Sequence, residues 1–210
     1  MKITYLGHAS FLLETAAGTR IVTDPYAQDI LPHPVVAADI VPASHEHSDH
    51  CDFSQVKGDY LTVNTEKATA FLDVEITCIP CWHDEVQGRK RGHNRAYIFE
   101  ADGLKIVHLG DLGEAPTPAL TAACSGADVL FIPVGGTYTL TGEEAAAAAK
   151  ALQPKLVVPM HYRCPGHSFD VISTEEPFLA ALDPTVPVHK LDELTEPLPQ
   201  GVALLTPQKP

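Results

Sequence analysis

Short segments with strand-like patterns of apolar and polar residues run through most of this chain. These segments are residues 2–6, 10–14, 19–23, 40–44, 74–79, 95–100, 104–109, 128–134 and 155–159. Ala17-Gly18 and Asp102-Gly103 each lie between two such segments and favour tight turns between antiparallel strands. Pro80 is expected to end the segment that begins at Val74. The pattern therefore predicts a protein built mainly from short β-strands.

Helical signals are fewer. Residues 65–72 are predicted to form a helix with Thr65 as its N-cap. Thr141-Gly142-Glu143-Glu144 fits a capping box in front of a run of alanines, and this helix should stop before Pro154. Six of the 18 prolines fall within residues 184–210, which predicts short strands and turns at the C-terminal end.

A weak internal repeat bears on the fold class. Residues 11–14 and 20–22, with Gly18 between them, resemble residues 97–100 and 105–107 with Gly103 between them. One explanation is that amphipathic hairpins look alike. The other is an α/β fold with two similar halves, each a sheet covered by helices, packed sheet to sheet. Because no linker or low-complexity segment interrupts the chain, we expect residues 1–210 to form a single domain.

Composition and charge narrow the function classes. The 210-residue chain is 45% apolar, which excludes a disordered protein and is enough for a sizeable core. A formal net charge of −13 argues against nucleic acid or acidic membrane as a partner, since both need basic surface. No apolar run reaches the ~18 residues of a membrane span, and the first residues lack a signal-peptide pattern. With only five cysteines, we expect a soluble cytoplasmic protein without a disulfide framework.

The densest chemical signal is the loop His45-Glu46-His47-Ser48-Asp49-His50, which follows a predicted strand. In an extended chain, residues two apart face the same way, so His45, His47 and Asp49 line one side. His50 breaks this period and needs a turn. One segment can thus supply ligands to two neighbouring metal ions, and the alternative is a polar surface loop.

Four residues cannot complete two metal shells, so further ligands must come from elsewhere in the chain. His83, Asp111 and His161 are candidates because each follows a predicted strand, where a rigid scaffold can aim a loop residue. Taken singly, each could instead make a local hydrogen bond. Together with the histidine-rich loop, they predict a metal centre.

These residues in this order resemble the metallo-β-lactamase superfamily, whose motif is His-x-His-x-Asp-His followed by His, Asp and His. Within it, the chain is similar to the compact branch related to ascorbate-6-phosphate lactonases, through residues 5–11, 23–25, 108–113, 132–136 and 159–162. The resemblance implies a four-layer αββα sandwich with the site at one edge of the two sheets. Glu114 departs from this branch, in which a histidine is expected.

The resemblance also implies a ligand set. One metal ion would be held by His45, His47 and His83, the other by Asp49, His50 and His161, and Asp111 would bridge them. Zinc is the first choice because it needs no redox control, while manganese, iron and nickel also accept this mixture of nitrogen and oxygen ligands.

This ligand set predicts hydrolysis by a metal-bound hydroxide, since two divalent cations lower the pKa of bound water to about 7. Asp49 is the candidate catalytic residue that orients the nucleophile and moves its proton. A lactone, ester or phosphoester bond in a small, anionic molecule is the expected target. Three alternatives stay open, namely a nuclease of the same superfamily, a non-catalytic metal-binding protein, and a di-iron oxidoreductase, which His47 argues against.

Substrate contacts and self-association are less defined. The basic cluster around Arg91, and Arg163 just after His161, could hold the anionic part of a substrate, although exposed basic residues are more often solvated. His8 is a further candidate for a substrate contact because Gly7 suggests close backbone approach. Homo-oligomerisation is compatible with the sequence, which carries no specific signal for it.

Overall fold

The structure is a computed structural model that describes residues 1–64 and 67–209. The strands are β1 (Lys2–Gly7), β2 (Ser10–Glu14), β3 (Arg20–Val22), β4 (Val36–Ala37), β5 (Ile40–Pro42), β6 (Val56–Lys57), β7 (Leu61–Val63), β8 (Thr69–Phe71), β9 (Val74–Trp82), β10 (His93–Ala101), β11 (Leu104–His108), β12 (Val129–Pro133), β13 (Leu156–Met160), β14 (Val188–Leu191), β15 (Glu193–Thr195) and β16 (Gly201–Leu205). The helices are α1 (Pro118–Cys124), α2 (Gly142–Leu152) and α3 (Glu176–Ala181). None of these described helices is long and apolar enough to cross a bilayer.

Two large sheets pack face to face. One has six strands in the order β15-β1-β2-β3-β5-β7, and the other has eight in the order β14-β16-β13-β12-β11-β10-β9-β8. Their facing sides share one apolar core, in which the rings of Phe11 and Phe131 stack across the two sheets at 4.0 Å. This arrangement confirms the predicted α/β sandwich.

The outer faces of the two sheets are covered differently. Helices α1, α2 and α3 pack on the eight-stranded sheet, where Leu120, Leu152 and Phe178 join one buried cluster with Leu130 and Val157. On the six-stranded sheet, the described covering layer includes the small β4-β6 sheet, whose two valines pack into a separate cluster. The apolar faces of both sheets are therefore buried.

Several local predictions are confirmed. The β2–β3 hairpin turns at Gly18, and the β10–β11 hairpin turns through Asp102 and Gly103, both of which have positive φ. Thr141 caps α2 in a complete capping box with Glu144. These features follow from turn and cap chemistry that acts over a few residues.

The predicted helix over residues 65–72 is wrong where the structure describes it. Residues 65–66 lie outside the described residues, and Thr69–Phe71 forms strand β8, which pairs with β9. Pro80 also does not end β9, which continues to Trp82. Because β8 pairs only with residues 74–76 of β9, Pro80 lies beyond the β8 ladder, where its missing N–H is tolerated.

Strand direction brings several strand ends to one edge of the sandwich. β11, β12 and β13 are parallel neighbours, and β9 runs in the same direction because β10 is antiparallel to both β9 and β11. In the other sheet, β3, β5 and β7 are parallel. The loops that follow β5, β9, β11 and β13 carry the chemistry described next.

Candidate metal centre

The predicted ligands follow four strand ends closely. The histidine-rich loop begins three residues after β5, His83 directly follows β9, Asp111 lies three residues after β11, and His161 directly follows β13. The six-stranded sheet therefore supplies one side of the cluster and the eight-stranded sheet the other.

Asp24 anchors the histidine-rich loop from below. Its Oδ1 accepts a hydrogen bond from Ser44 N at 2.7 Å, and its Oδ2 accepts from Ser44 Oγ at 2.6 Å and His50 Nδ1 at 2.8 Å. Because the Ser44 hydroxyl donates to Asp24, it accepts from His45 Nδ1, which lies 2.9 Å away. Both imidazoles thus carry their hydrogen on Nδ1 and turn the Nε2 lone pair into the cluster.

The candidate ligand atoms form two separate groups and a third that shares members with both. In each group the atoms lie within 4.8 Å of one another. The first group is His45, His47 and His83, and the second is His8, Asp49, His50 and His161. The third group, His45, His50 and Asp111, links them. All seven residues predicted as metal ligands are therefore brought together, since the remaining one, Asp111, lies between the groups.

Asp111 contacts both groups. Its Oδ2 lies 3.3 Å from His83 Nε2 and 3.1 Å from His161 Nε2, and its Oδ1 lies 3.2 Å from His50 Nε2. Burial acts to raise the pKa of Asp111, but His161 and His50 lower it well below its ordinary value. The carboxylate is thus ionised and positioned between the two groups.

Asn94 and Gly110 hold the loop that carries Asp111. The amide of Asn94 accepts from Asp111 N at 2.9 Å and donates to Leu109 O at 2.8 Å. Gly110 has φ +53° and packs so closely between Asn94 and Ser44 that a Cβ atom would overlap both side chains. This close approach joins the two sheets directly beneath the cluster.

Unpartnered buried atoms in the cluster test whether it fits metal ions. Burial, with the nearby His50, lowers the pKa of His45 to about 2, so its imidazole is neutral. Buried atoms without a hydrogen-bond partner in the described chain include Nε2 of His45, His50 and His161, Nδ1 of His83 and His161, and Oδ1 of Asp111. Buried polar atoms rarely stay unpaired, and nitrogen and carboxylate lone pairs directed at shared points match divalent transition-metal ions. The residues present therefore fit the implied cations.

His8 belongs to this cluster but is fully buried. Its Nε2 lies 3.3 Å from Asp49 Oδ2, and its backbone carbonyl accepts from His161 N at 2.8 Å. Burial is the main cause that lowers the pKa of His8 to about 3, so the ring is neutral. The geometry places His8 behind Asp49, which does not support its predicted contact with substrate.

A tight loop after His83 carries the basic cluster. Asp84, itself buried, accepts hydrogen bonds from four backbone N–H groups of this loop, those of Val86, Gly88, Lys90 and Arg91, at 2.7–2.9 Å. Burial acts to raise the pKa of Asp84, but these N–H donors lower it to about 2. The carboxylate thus acts as the centre around which the loop is wound.

Arg91 borders a cleft next to the first ligand group. The cleft has a volume of about 420 Å³ and is lined by His45, Glu46, His47, Arg91, Gly92, His93, Asn94 and Arg95. The Arg91 guanidinium donates to Thr137 O at 2.8 Å and lies 5.6 Å from the centre of the Tyr138 ring. Arg91 is therefore close to the cluster, as the sequence predicts.

Arg163 is not brought to the cluster. Its guanidinium donates to Asp170 O at 3.1 Å, and its side chain lines a separate cavity with Tyr162 and Glu175. Its backbone N–H donates to Ser173 O at 2.8 Å. The predicted substrate contact of Arg163 has no support from this placement.

Sequence reasoning missed the residues that orient the ligands. Asp24, Ser44 and Asn94 were given no role, although Asp24 lies in one of the stretches that carry the family resemblance. Asp24 lies just after β3, in the sheet that also carries the histidine-rich loop, and a carboxylate at such a strand end is the signal that could have identified it. Asn94 offers no comparable local signal, since it lies inside β10.

Comparisons with known proteins agree with this geometry. A family profile described as a beta-lactamase superfamily domain matches residues 2–161. UPF0173 metal-dependent hydrolases of Pelotomaculum thermopropionicum and Thermococcus kodakarensis are each 31% identical, covering 77% of this chain and 84% of their own length. A Thermotoga maritima structure assigned as a Zn-dependent hydrolase of the metallo-β-lactamase superfamily superposes with a TM-score of 0.80 at 35% identity, covering 97% of both chains. This chain therefore belongs to the metallo-β-lactamase superfamily, in its branch of compact metal-dependent hydrolases.

Proposed function

We propose that this chain hydrolyses a lactone, ester or phosphoester bond in a small anionic molecule, using two divalent cations. The observation that carries the proposal is the set of buried, unpartnered imidazole nitrogens around Asp111. One cation would be held by His45, His47 and His83, the other by Asp49, His50 and His161, with Asp111 between them. Zinc is the preferred metal because this nitrogen-rich ligand set suits it and hydrolysis needs no redox change.

When bound, the cations would supply Lewis acidity that lowers the pKa of a water molecule to about 7 and neutralises charge on substrate oxygens. The protein's own contribution is orientation. Asp49 is partly exposed, at 15%, while its Oδ2 is held by His8. Burial acts to raise the pKa of Asp49, but the hydrogen bond from His8 lowers it below its ordinary value. As an ionised, accessible carboxylate, Asp49 can orient a water molecule and accept its proton.

The cleft beside the first ligand group supports an anionic substrate. Arg91 lies at its rim, and Arg95 lies in its wall, where both guanidinium nitrogens contact Glu46 Oε1 at 3.2 Å. Of these two arginines, Arg91 forms no ion pair with a carboxylate of the described residues, so it is available for a substrate anion. In a chain with net charge −13, such a local positive group attracts small anions selectively.

The proposal also covers the class of substrate, the domain organisation and the location of the protein. A strongly acidic chain is poorly suited to nucleic acid, so a small molecule is preferred over a nuclease substrate. We further propose that residues 1–210 act as one hydrolase domain, because both sheets contribute to one shared core and to one ligand cluster. We propose a cytoplasmic location from the sequence, which has no apolar run long enough for a membrane span and few cysteines.

Metal analysis combined with a substrate screen tests the proposal. Untreated protein should contain two divalent cations per chain by mass spectrometry, and it should hydrolyse a lactone, an ester or a phosphodiester in a chelator-sensitive manner. Asp49→Asn should lose most turnover, whereas Asp52→Asn, a carboxylate change just beyond the same loop, should keep it. Full metal loading with no turnover on any substrate class would support the non-catalytic alternative instead.

A further inference from the structure

His167 lies behind the metal centre and is not one of the predicted ligands. Its Nε2 is 2.9 Å from His8 Nδ1, and its Nδ1 accepts a hydrogen bond from Phe169 N at 3.0 Å. His8 Nε2 in turn lies 3.3 Å from Asp49 Oδ2. The four groups form one continuous row that starts at a backbone N–H and ends at a carboxylate.

The hydrogen positions along this row follow from its first member. A backbone N–H can only donate, so Nδ1 of His167 accepts with its lone pair and the ring hydrogen is on Nε2. That hydrogen is donated to His8 Nδ1, which must therefore accept. The His8 hydrogen is thus on Nε2, which faces the Asp49 carboxylate.

We infer that His167 is a positioning residue that holds His8 in the tautomer with hydrogen on Nε2. His8 is consequently a hydrogen-bond donor to Asp49 and not a ligand of either cation. The tautomers follow from the hydrogen bonds alone. Only the consequence, that Asp49 is oriented for hydrolysis, rests on the proposed function.

The neighbouring histidines show why this assignment is specific to His8. His45 and His50 donate through Nδ1 to Ser44 and Asp24, and their Nε2 atoms are left without a partner. His8 has the opposite arrangement, because its Nδ1 accepts and its Nε2 has a carboxylate partner. Proximity alone would group His8 with the ligands of the second cation. The hydrogen-bond partners separate them.

The tautomer of His8 determines whether its ring donates a hydrogen bond to Asp49. With hydrogen on Nε2, His8 fixes Asp49 Oδ2 and leaves the other oxygen for water or cation. Without the hydrogen bond from His167, His8 could move its hydrogen to Nδ1. Its Nε2 lone pair would then face the carboxylate, which repels it, or compete for a cation. His167 therefore positions Asp49 indirectly, through the ring of His8.

Nuclear magnetic resonance tests the assignment directly. A long-range proton–nitrogen spectrum of protein with isotope-labelled histidine should show hydrogen on Nε2 of both His8 and His167, with and without metal. Loading with a spin-active cadmium isotope should give cadmium–nitrogen coupling at the five proposed histidine ligands, His45, His47, His50, His83 and His161, but none at His8. Coupling at His8, or hydrogen on its Nδ1, would overturn the inference. Cadmium bound nowhere would count against the metal-centre proposal, while the tautomers remain readable.

Two variants test the consequence. His167→Leu removes the donor and should lower kcat about ten- to a hundred-fold with KM and metal content unchanged. His167→Gln can still donate to His8 and should restore most of the lost kcat. His33→Leu is the matched control, since His33 is also buried but its hydrogen bonds stay within its own loop.

Equal kcat values for His167→Leu and wild type would contradict the positioning role. An equally low kcat in His33→Leu would indicate general loss of packing, which would also overturn it. The tautomer measurement on the wild-type protein decides the inference even where a variant fails to fold.

Discussion

Replacing Asp24 with asparagine should weaken metal binding although Asp24 touches no proposed cation. Asp24 accepts three hydrogen bonds, two of them on Oδ2. An asparagine amide oriented to keep the bond from Ser44 N presents its NH2 group to Ser44 Oγ and His50 Nδ1. The serine hydroxyl can rotate and accept, but His50 must move its hydrogen from Nδ1 to Nε2. That shift removes the lone pair that His50 offers to a cation.

The rotated serine extends the effect to the other ligand group. Once Ser44 accepts from the asparagine, its own hydrogen points at His45 Nδ1, which lies 2.9 Å away. His45 then also carries its hydrogen on Nε2. One imidazole in each group thus loses the lone pair that would bind a cation. We expect the metal affinity of each site to fall about ten- to a hundred-fold, equivalent to about 1.4–2.7 kcal/mol.

Competition with a chromophoric chelator measures this loss for each cation. Asp128→Asn is the matched control, because Asp128 also accepts from a backbone N–H, that of Lys105, and from a side chain, that of Lys155. It should lower stability modestly and leave metal affinity unchanged. Affinity of Asp24→Asn within a factor of about two of wild type would refute the tautomer argument, since a shifted imidazole should cost at least tenfold.

Three further outcomes follow from the loop and the cluster. Asp84→Asn leaves two of four backbone N–H groups unpaired and should lower the free energy of unfolding by about 2 kcal/mol, with Glu85→Gln as control. Because the folded-state pKa of Asp84 is lowered to about 2, its contribution is present near neutral pH and is lost as pH falls toward that value, which acid titrations of both proteins would detect. Arg91→Glu should raise KM for anionic substrates more than for neutral ones, whereas Arg163→Glu should change neither. Chelation should lower Tm, and an unchanged Tm would exclude tightly bound cations.

Local signals in the sequence predict much of this fold. The two hairpins and the α2 capping box depend on residues within a few positions of one another. Helix α1 has an equally local signal that went unused, since Thr117 caps it and Pro118 opens it. Strand β8 could not be predicted this way, because a three-residue segment takes its conformation from pairing with β9.

The candidate site also combines residues that the sequence predicts with residues that it does not. The proposed ligands are recognisable because the chemistry of His and Asp coincides with strand ends along the chain. The groups that orient them act over long separations, with 20 residues between Ser44 and Asp24, 17 between Asp111 and Asn94, and 159 between His8 and His167. A single sequence contains no periodicity that links such positions, so their pairing is visible only once the sheets are packed.

The two ligand groups also connect the two halves of the sandwich. Each group draws residues from the loop after β5 in one sheet and from a strand end in the other. Any cation that binds a group therefore cross-links the sheets at their shared edge. Asp24 orients the ligands from the six-stranded side, while Asn94 and Gly110 fix Asp111 on the eight-stranded side. Because these hydrogen bonds join protein groups only, the fold itself aims the lone pairs, and the free energy of cation binding can stabilise the closed edge rather than organise it.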